Sequence, residues 1–440
     1  MPWKGKLAAA LVAVTLTSAA QVADASPAIN WHPCTQDTTA ECGTLRLPVD
    51  WSRPWGDKFD LAVARRKATG TRTGVLLVNP GGPGDSGVDF ALKEYFSPQV
   101  QASFDVVGFD PRGVAGSHAI TCSPEVLARQ PSAYPRDQAE FDKLAAYNRE
   151  LRADCRARTG PLYDHVDTLS TARDMDAIRR ALGERQISYF GHSYGTFMGE
   201  QYAELFGDRV RAMALTATVD HSRGTTGFFT DVAAAAEDAF DEFLKWCQGD
   251  PTCPPDTAAV WEAKMSTLDP DAQAAAAFRA VGMLKGPLWP QLAQWIPTIT
   301  PAKIPVPPQY VAIFCQDWQI RPQSYADLAH LSAEEVKVAP HMRGAPEHFI
   351  AAGCVGFPPA NNPQHRLHVT NAPTILIAHS RHDPVSAYPW AGNVRRQIGN
   401  AVQLTYDGWG HQVYPRNACT RDAVDAYLTE LRIPGPHCAP

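Results

Sequence analysis

Charge is scarce in this sequence. Charged residues make up 20% of 440, and the formal net charge is only -6. No stretch concentrates Lys and Arg, so neither a nucleic acid nor an anionic membrane is an expected partner. C-x-x-C, H-E-x-x-H and any His/Cys cluster at ligand spacing are also missing, so no metal is expected. One Gly-rich stretch exists, but it lacks both the Lys-Ser/Thr of a phosphate loop and the spacing of a dinucleotide fingerprint, so no cofactor is expected. Long hydrophobic runs are absent too. The most apolar stretch, Leu7 to Ala20, is too short and too rich in Ala and Thr for a membrane anchor. No twin arginine precedes it, and no cysteine stands at its end to carry a lipid.

What is present starts with that same stretch. Lys4 and Lys6 precede the apolar run, and Ala23-Asp24-Ala25 forms a small-x-small cleavage site. Residues 1–25 therefore read as a signal peptide, with Ser26 as the mature start, and the protein is expected to be secreted and extracellular. The ten cysteines fit an oxidising compartment. Their order suggests local pairs: Cys34–Cys42, Cys122–Cys155, Cys247–Cys253, Cys315–Cys354 and Cys419–Cys438. The composition, 45% hydrophobic, is that of a globular chain long enough for a large core or two domains.

The densest signal is Ile187 to Thr196, an apolar strand entering Gly191-His192-Ser193-Tyr194-Gly195 and then a helix. This is the pattern of a nucleophile elbow, in which Ser193 sits at the tip of a tight strand-to-helix turn. Upstream, the apolar run Gly74 to Asn79 reads as a strand buried on both faces. It is followed by Pro80-Gly81-Gly82-Pro83-Gly84-Asp85-Ser86-Gly87. Such a loop can offer a backbone N–H to an oxyanion; Gly82 is the first choice and Gly81 the second. Leu45–Val49 and Phe59–Arg65 read as an antiparallel start to the sheet, Phe104 to Phe109 as another strand, and Thr168–Leu182 as an amphipathic helix. Asp110 and Arg112 read as a structural ion pair or turn cap.

From about residue 222 the alternation of strand and helix breaks and resumes at Pro373–Ala378. Asp383 follows that strand on a turn, and His411 follows the last strand, Val402–Tyr406, in Gly410-His411. Ser193, Asp383 and His411 thus stand in the order Ser…Asp…His, each at a strand end. In that arrangement His411 takes the serine proton, Asp383 orients the imidazole, and the N–H groups of Tyr194 and Gly82 bind the oxyanion. Asp220 is the runner-up acid. His192, His379 and His382 read as structural neighbours.

These motifs, together with Gly108-Phe109-Asp110-Pro111-Arg112-Gly113 and His382-Asp383-Pro384-Val385, resemble the secreted tripeptidyl aminopeptidases, which are related to the proline iminopeptidases. The sequence departs from that pattern at Ser386-Ala387 and Gln412. The resemblance implies an α/β-hydrolase fold with a mostly parallel central sheet, helices on both faces and a mostly helical cap. The core would comprise residues 26–221 and 369–440, and the cap 222–368. It implies a serine exopeptidase taking short peptides, tripeptides foremost, from the free N-termini of peptides or proteins; the sequence does not give the oligomeric state, and a monomer is the expectation. An ester hydrolase with the same triad is the alternative. An aminopeptidase also needs a carboxylate for the substrate ammonium; Glu200, Asp231, Glu237, Asp238, Asp241 and Glu242 are the candidates.

Overall fold

The computed structural model describes Met1, residues 28–304 and residues 306–440. Apart from Met1, the signal segment expected over residues 1–25 lies outside the described residues.

Ten strands form one sheet: β1 (His32–Pro33), β2 (Glu41–Pro48), β3 (Lys58–Arg66), β4 (Gly74–Asn79), β5 (Phe104–Phe109), β6 (Ile187–His192), β7 (Val210–Thr216), β8 (Ile375–His382), β9 (Ala401–Trp409) and β10 (His437–Cys438). Their order across the sheet is β1-β2-β3-β5-β4-β6-β7-β8-β9-β10. The pairs β1/β2, β2/β3 and β3/β5 are antiparallel, and all later pairs are parallel. An antiparallel edge thus opens onto a parallel centre, as the first two strands implied.

The central strands are apolar throughout because helices cover both faces. Every residue of β4, β5 and β6 is buried. Side chains alternate across a strand, so one strand feeds two cores. Val75 and Leu77 of β4 join Tyr189, Leu215 and Ile377 on one face. Leu76 and Val78 join Phe190, Ala214 and Leu404 on the other. Strand β8 runs past the expected end at Ala378 to His382, because β9 continues beside it and pairs His379 with Thr405 and His382 with Trp409.

Between β7 and β8 the described residues form helices and loops but no strand, the longest helix being Thr225–Cys247. Trp261, Trp289 and Trp318 in this segment are buried core residues. The five disulfides join the cysteines in the sequential pairs suggested by their order. Among the described residues no helix is long and apolar enough to cross a membrane.

Asp110 and Arg112 do not pair with each other. Arg112 binds Asp174 through two short hydrogen bonds of 2.6 and 2.7 Å, with both side chains fully buried. Asp110 instead accepts from Ser86 Oγ and from the N–H groups of Val88 and Gly116. It thereby anchors the start of the helix Gly87–Leu92, just beyond the Gly-rich loop.

Candidate active site

Ser193 stands between β6 and the helix Tyr194–Phe206 with φ 54° and ψ -127°. A residue with a side chain held there carries strain of about 1–3 kcal/mol. The surrounding structure fixes it: Ser193 N donates to Thr216 O at 2.9 Å, and Thr196 N donates to Ser193 O at 2.8 Å. The flanking glycines are required by close approach. A Cβ on Gly191 would lie 2.4 Å from Gly195 O, and one on Gly195 would lie 2.7 Å from Asn79 O. Asn79 also accepts from Gly81 N at 2.8 Å through Oδ1. That occupies the Gly81 amide, whereas Gly82 borders the cavity, as do Gly84 and Asp85.

His411 Nδ1 lies 3.0 Å from each oxygen of Asp383. This fixes the tautomer: Nδ1–H donates to the carboxylate and Nε2 is left to accept a proton. Asp383 Oδ1 accepts from Val385 N and Ser386 N at 2.9 and 3.0 Å. Burial would raise the Asp383 carboxyl, but the charge and hydrogen bond of His411 outweigh it and hold it at about 2.

The other histidines occupy supporting positions. His379 Nδ1 accepts from Thr218 N, so its Nε2–H donates to Ser386 O at 2.9 Å, which steadies the Asp383 turn. His382 bonds Asp238 at 2.8 Å. His192 borders the cavity with its ring centre 4.7 Å from that of His411, and burial followed by the nearby His411 pushes its pKa down to about 3. It is therefore a neutral wall beside the imidazole. Asp220, the runner-up acid, is engaged elsewhere, by Ser222, Asn393 and Gln397.

Ser193 and His411 border one cavity of about 640 Å³, roofed by Phe278, Val281, Leu284, Lys285, Tyr310 and Glu347 from the helical segment. This size suits a small ligand. No tryptophan lines it. The roof is tied to the elbow. Tyr194 OH donates at 2.6 Å to Asp317 Oδ2, at the end of the helix Pro308–Asp317. Asp317 also accepts from Thr168 N, Thr168 Oγ1 and Asn362 Nδ2.

None of the six acids expected to bind an ammonium lines the cavity. Asp231 is held by Arg223 and Trp390. Glu237 is held by His341 and Met342, Asp238 by His382, and Glu242 by Trp409 and Lys245. Asp241 is about half exposed. Glu200 is buried within its helix with neither oxygen partnered, and burial raises its pKa well above the carboxylate range.

The carboxylates that do face the cavity are Asp85, exposed to it, and Glu347, which is 6% exposed. Glu347 Oε2 has no partner, and burial, reinforced by Glu335 and Asp383, pushes the group up to about 8. Sequence reasoning passed over Glu347. It sits between two helices in Gly344-Ala345-Pro346-Glu347-His348, where no periodicity or motif marks it.

A family model described as alpha/beta hydrolase fold matches residues 74–418. The chain belongs to the α/β-hydrolase family. It is 28% identical to Serine protease Hip1 of Mycobacterium tuberculosis, with 91% of this chain and 88% of that protein covered. Identity to Carboxylesterase B of the same organism is 31%, covering 94% and 91%. The Tripeptidyl aminopeptidase of Streptomyces coelicolor is 41% identical over 44% of this chain and 39% of its own length. The similarity implied by the motifs is therefore present, and this α/β-hydrolase is an enzyme, a serine hydrolase.

Proposed function

We propose that the protein is a secreted serine exopeptidase that removes short peptides, tripeptides foremost, from free N-termini. The observation that carries this reading is Glu347, a buried carboxylate with one oxygen unpartnered in the same cavity as Ser193 and His411. An ester hydrolase has no use for it, whereas a substrate ammonium would supply the cation it lacks. The likeness to a serine protease and to a tripeptidyl aminopeptidase supports the same reading.

In this mechanism Ser193 is the nucleophile. His411 Nε2 takes the Ser193 proton as Oγ attacks the acyl carbon, and Asp383 stabilises the resulting imidazolium. The N–H groups of Tyr194 and Gly82 receive the oxyanion, each contributing on the order of 3 kcal/mol. His411 then passes its proton to the leaving amine. Water attacks the acyl-enzyme with the same base, and Ser193 is regenerated. Glu347, aided by Asp85, holds the peptide ammonium and so sets how far the scissile carbonyl lies from the N-terminus. The five disulfides fit an exported protein.

The test compares a chromogenic tripeptide, its N-acetylated form, a prolyl amide and a short ester, with Ser193→Ala as control. The free tripeptide is expected to be cleaved fastest. Equal rates on free and N-blocked peptides would overturn the reading. The second reading, an ester hydrolase with the same triad, draws on the likeness to Carboxylesterase B along nearly the whole chain. It predicts that the short ester outruns every peptide.

A further inference from the structure

The ammonium site proposed at Glu347 uses only part of the charge on the cavity wall. Asp85 and Glu347 lie on that wall with Gln309 and Tyr310, and the charge of Lys93, also on the wall, acts on Asp85. Lys285 and Arg416 border the same cavity, and both are partly buried. They bracket the turn that carries His411. A Cβ on Gly410 would come within 2.7 Å of Lys285 Cβ and 2.9 Å of Arg416 Nη2. The two cations come from different parts of the chain: Lys285 follows the helix Pro270–Val281 in the roof, and Arg416 follows β9 in the core.

Neither forms an ion pair among the described residues, although most arginines of this protein that approach a carboxylate are paired with it. Arg416 donates Nε to Gln412 O at 2.9 Å, which leaves its two terminal nitrogens available. Burial lowers the pKa of Lys285, and the charge of Arg416 lowers it further. Two unpaired like charges held together in a partly buried site cost free energy that the fold itself does not return. An anion between them would remove that cost and form charge-assisted hydrogen bonds to both.

His411 hands its proton to the leaving group, so the groups that flank its turn lie on the leaving-group side. We propose that Lys285 and Arg416 form a subsite for a carboxylate on the leaving amino acid or peptide. This rests on the exopeptidase reading and extends it: the preferred substrates are short peptides whose ammonium meets Glu347 and whose carboxylate meets Lys285 and Arg416. The carboxylate can come from a free C-terminus or from an Asp or Glu side chain after the scissile bond.

The test measures kcat/KM for Ala-Ala-Ala-Ala as the free acid, for its C-terminal amide and for Ala-Ala-Ala-Asp amide, in wild type, Lys285→Met, Arg416→Met and Arg416→Lys. The wild-type enzyme is expected to prefer the free acid over the amide by about tenfold. That ratio falls toward one in both methionine variants and is partly kept in Arg416→Lys. Recovery of the rate by the Asp amide assigns the site to either source of carboxylate, and no recovery assigns it to the C-terminus. Wild-type ratios near one for both carboxylate substrates overturn the proposal, as does a preference that survives both methionine variants. Each ratio is taken within one enzyme, so a loss of folded protein does not mimic the result. Equal cleavage of free and N-acetylated peptides would break the exopeptidase reading instead. A ratio of one in an enzyme that needs a free N-terminus breaks this proposal alone.

Discussion

The strand-end turns of the sheet hold one buried carboxylate behind His411, and the helical segment between β7 and β8 brings another to the wall of the cavity. Asp383, after β8, receives His411 and two backbone N–H groups, and its carboxyl is held at about 2. Glu347, in the helical segment, is buried almost as deeply but has one oxygen without any partner, and its carboxyl rises to about 8. Burial acts on both in the same direction, so partners decide the difference. The turn of the core provides the partners of its acid within the fold. The roof leaves one oxygen of its acid without a partner.

Breaking the core side of this comparison gives the largest effects. Ser193→Ala is expected to lower kcat by about a millionfold and to abolish fluorophosphonate labelling. Labelling that persists would remove Ser193 from the nucleophile position. Asp383→Asn leaves His411 without the acceptor that fixes its tautomer, and kcat is expected to fall by about ten-thousandfold while the circular-dichroism spectrum stays that of the folded protein. A loss below tenfold would mean that Asp383 does not orient the base.

On the roof side, Glu347→Gln is expected to reduce the ratio of kcat/KM for a free tripeptide over its N-acetylated form by about a hundredfold, since truncating one partner of a buried charge pair costs about 2–5 kcal/mol. An unchanged ratio would place the ammonium elsewhere. Below about pH 8 the free Glu347 carboxyl is protonated. The same ratio should therefore rise with pH through neutrality, until the peptide amine itself loses its proton near about 8.

The smallest effect is on stability. Glu347 has a folded-state pKa above the ordinary 4.5 of a glutamate, so the folded protein binds more protons between there and about 8, and this contribution to stability is lost as pH rises through that window. Asp383 has the opposite sign: its contribution is present above 3.8 and is lost as pH falls toward about 2. Thermal melts of Glu347→Gln against wild type should diverge in favour of the variant as pH is raised toward 8. A constant difference across pH would show that Glu347 finds a partner in the free protein.

Much of the core could be read from the chain. The apolar runs of β4, β5 and β6 are strands because both of their faces are covered, and a local run of Val, Leu, Ile and Phe is enough to say so. Gly191, Ser193 and Gly195 were readable because one tight turn imposes its requirements within five residues. The roof was less legible for the converse reason. The helix Thr225–Cys247 is rich in acids that could meet an ammonium, yet Asp231, Glu237, Asp238 and Glu242 are all bonded to neighbours distant in sequence. The pairing of Arg112 with Asp174 rather than Asp110 was hidden in the same way, since a gap of 62 residues separates the partners.

The sequence by itself determined the elements and their order, because strand burial, turn glycines and the succession Ser193, Asp383, His411 are local or ordinal properties of the chain. The tertiary structure alone decided which acids are spent and which remain unpartnered. That depends on which side chains distant in the chain meet in space, and so Glu347, Lys285 and Arg416 acquire their meaning only when the roof closes over the sheet.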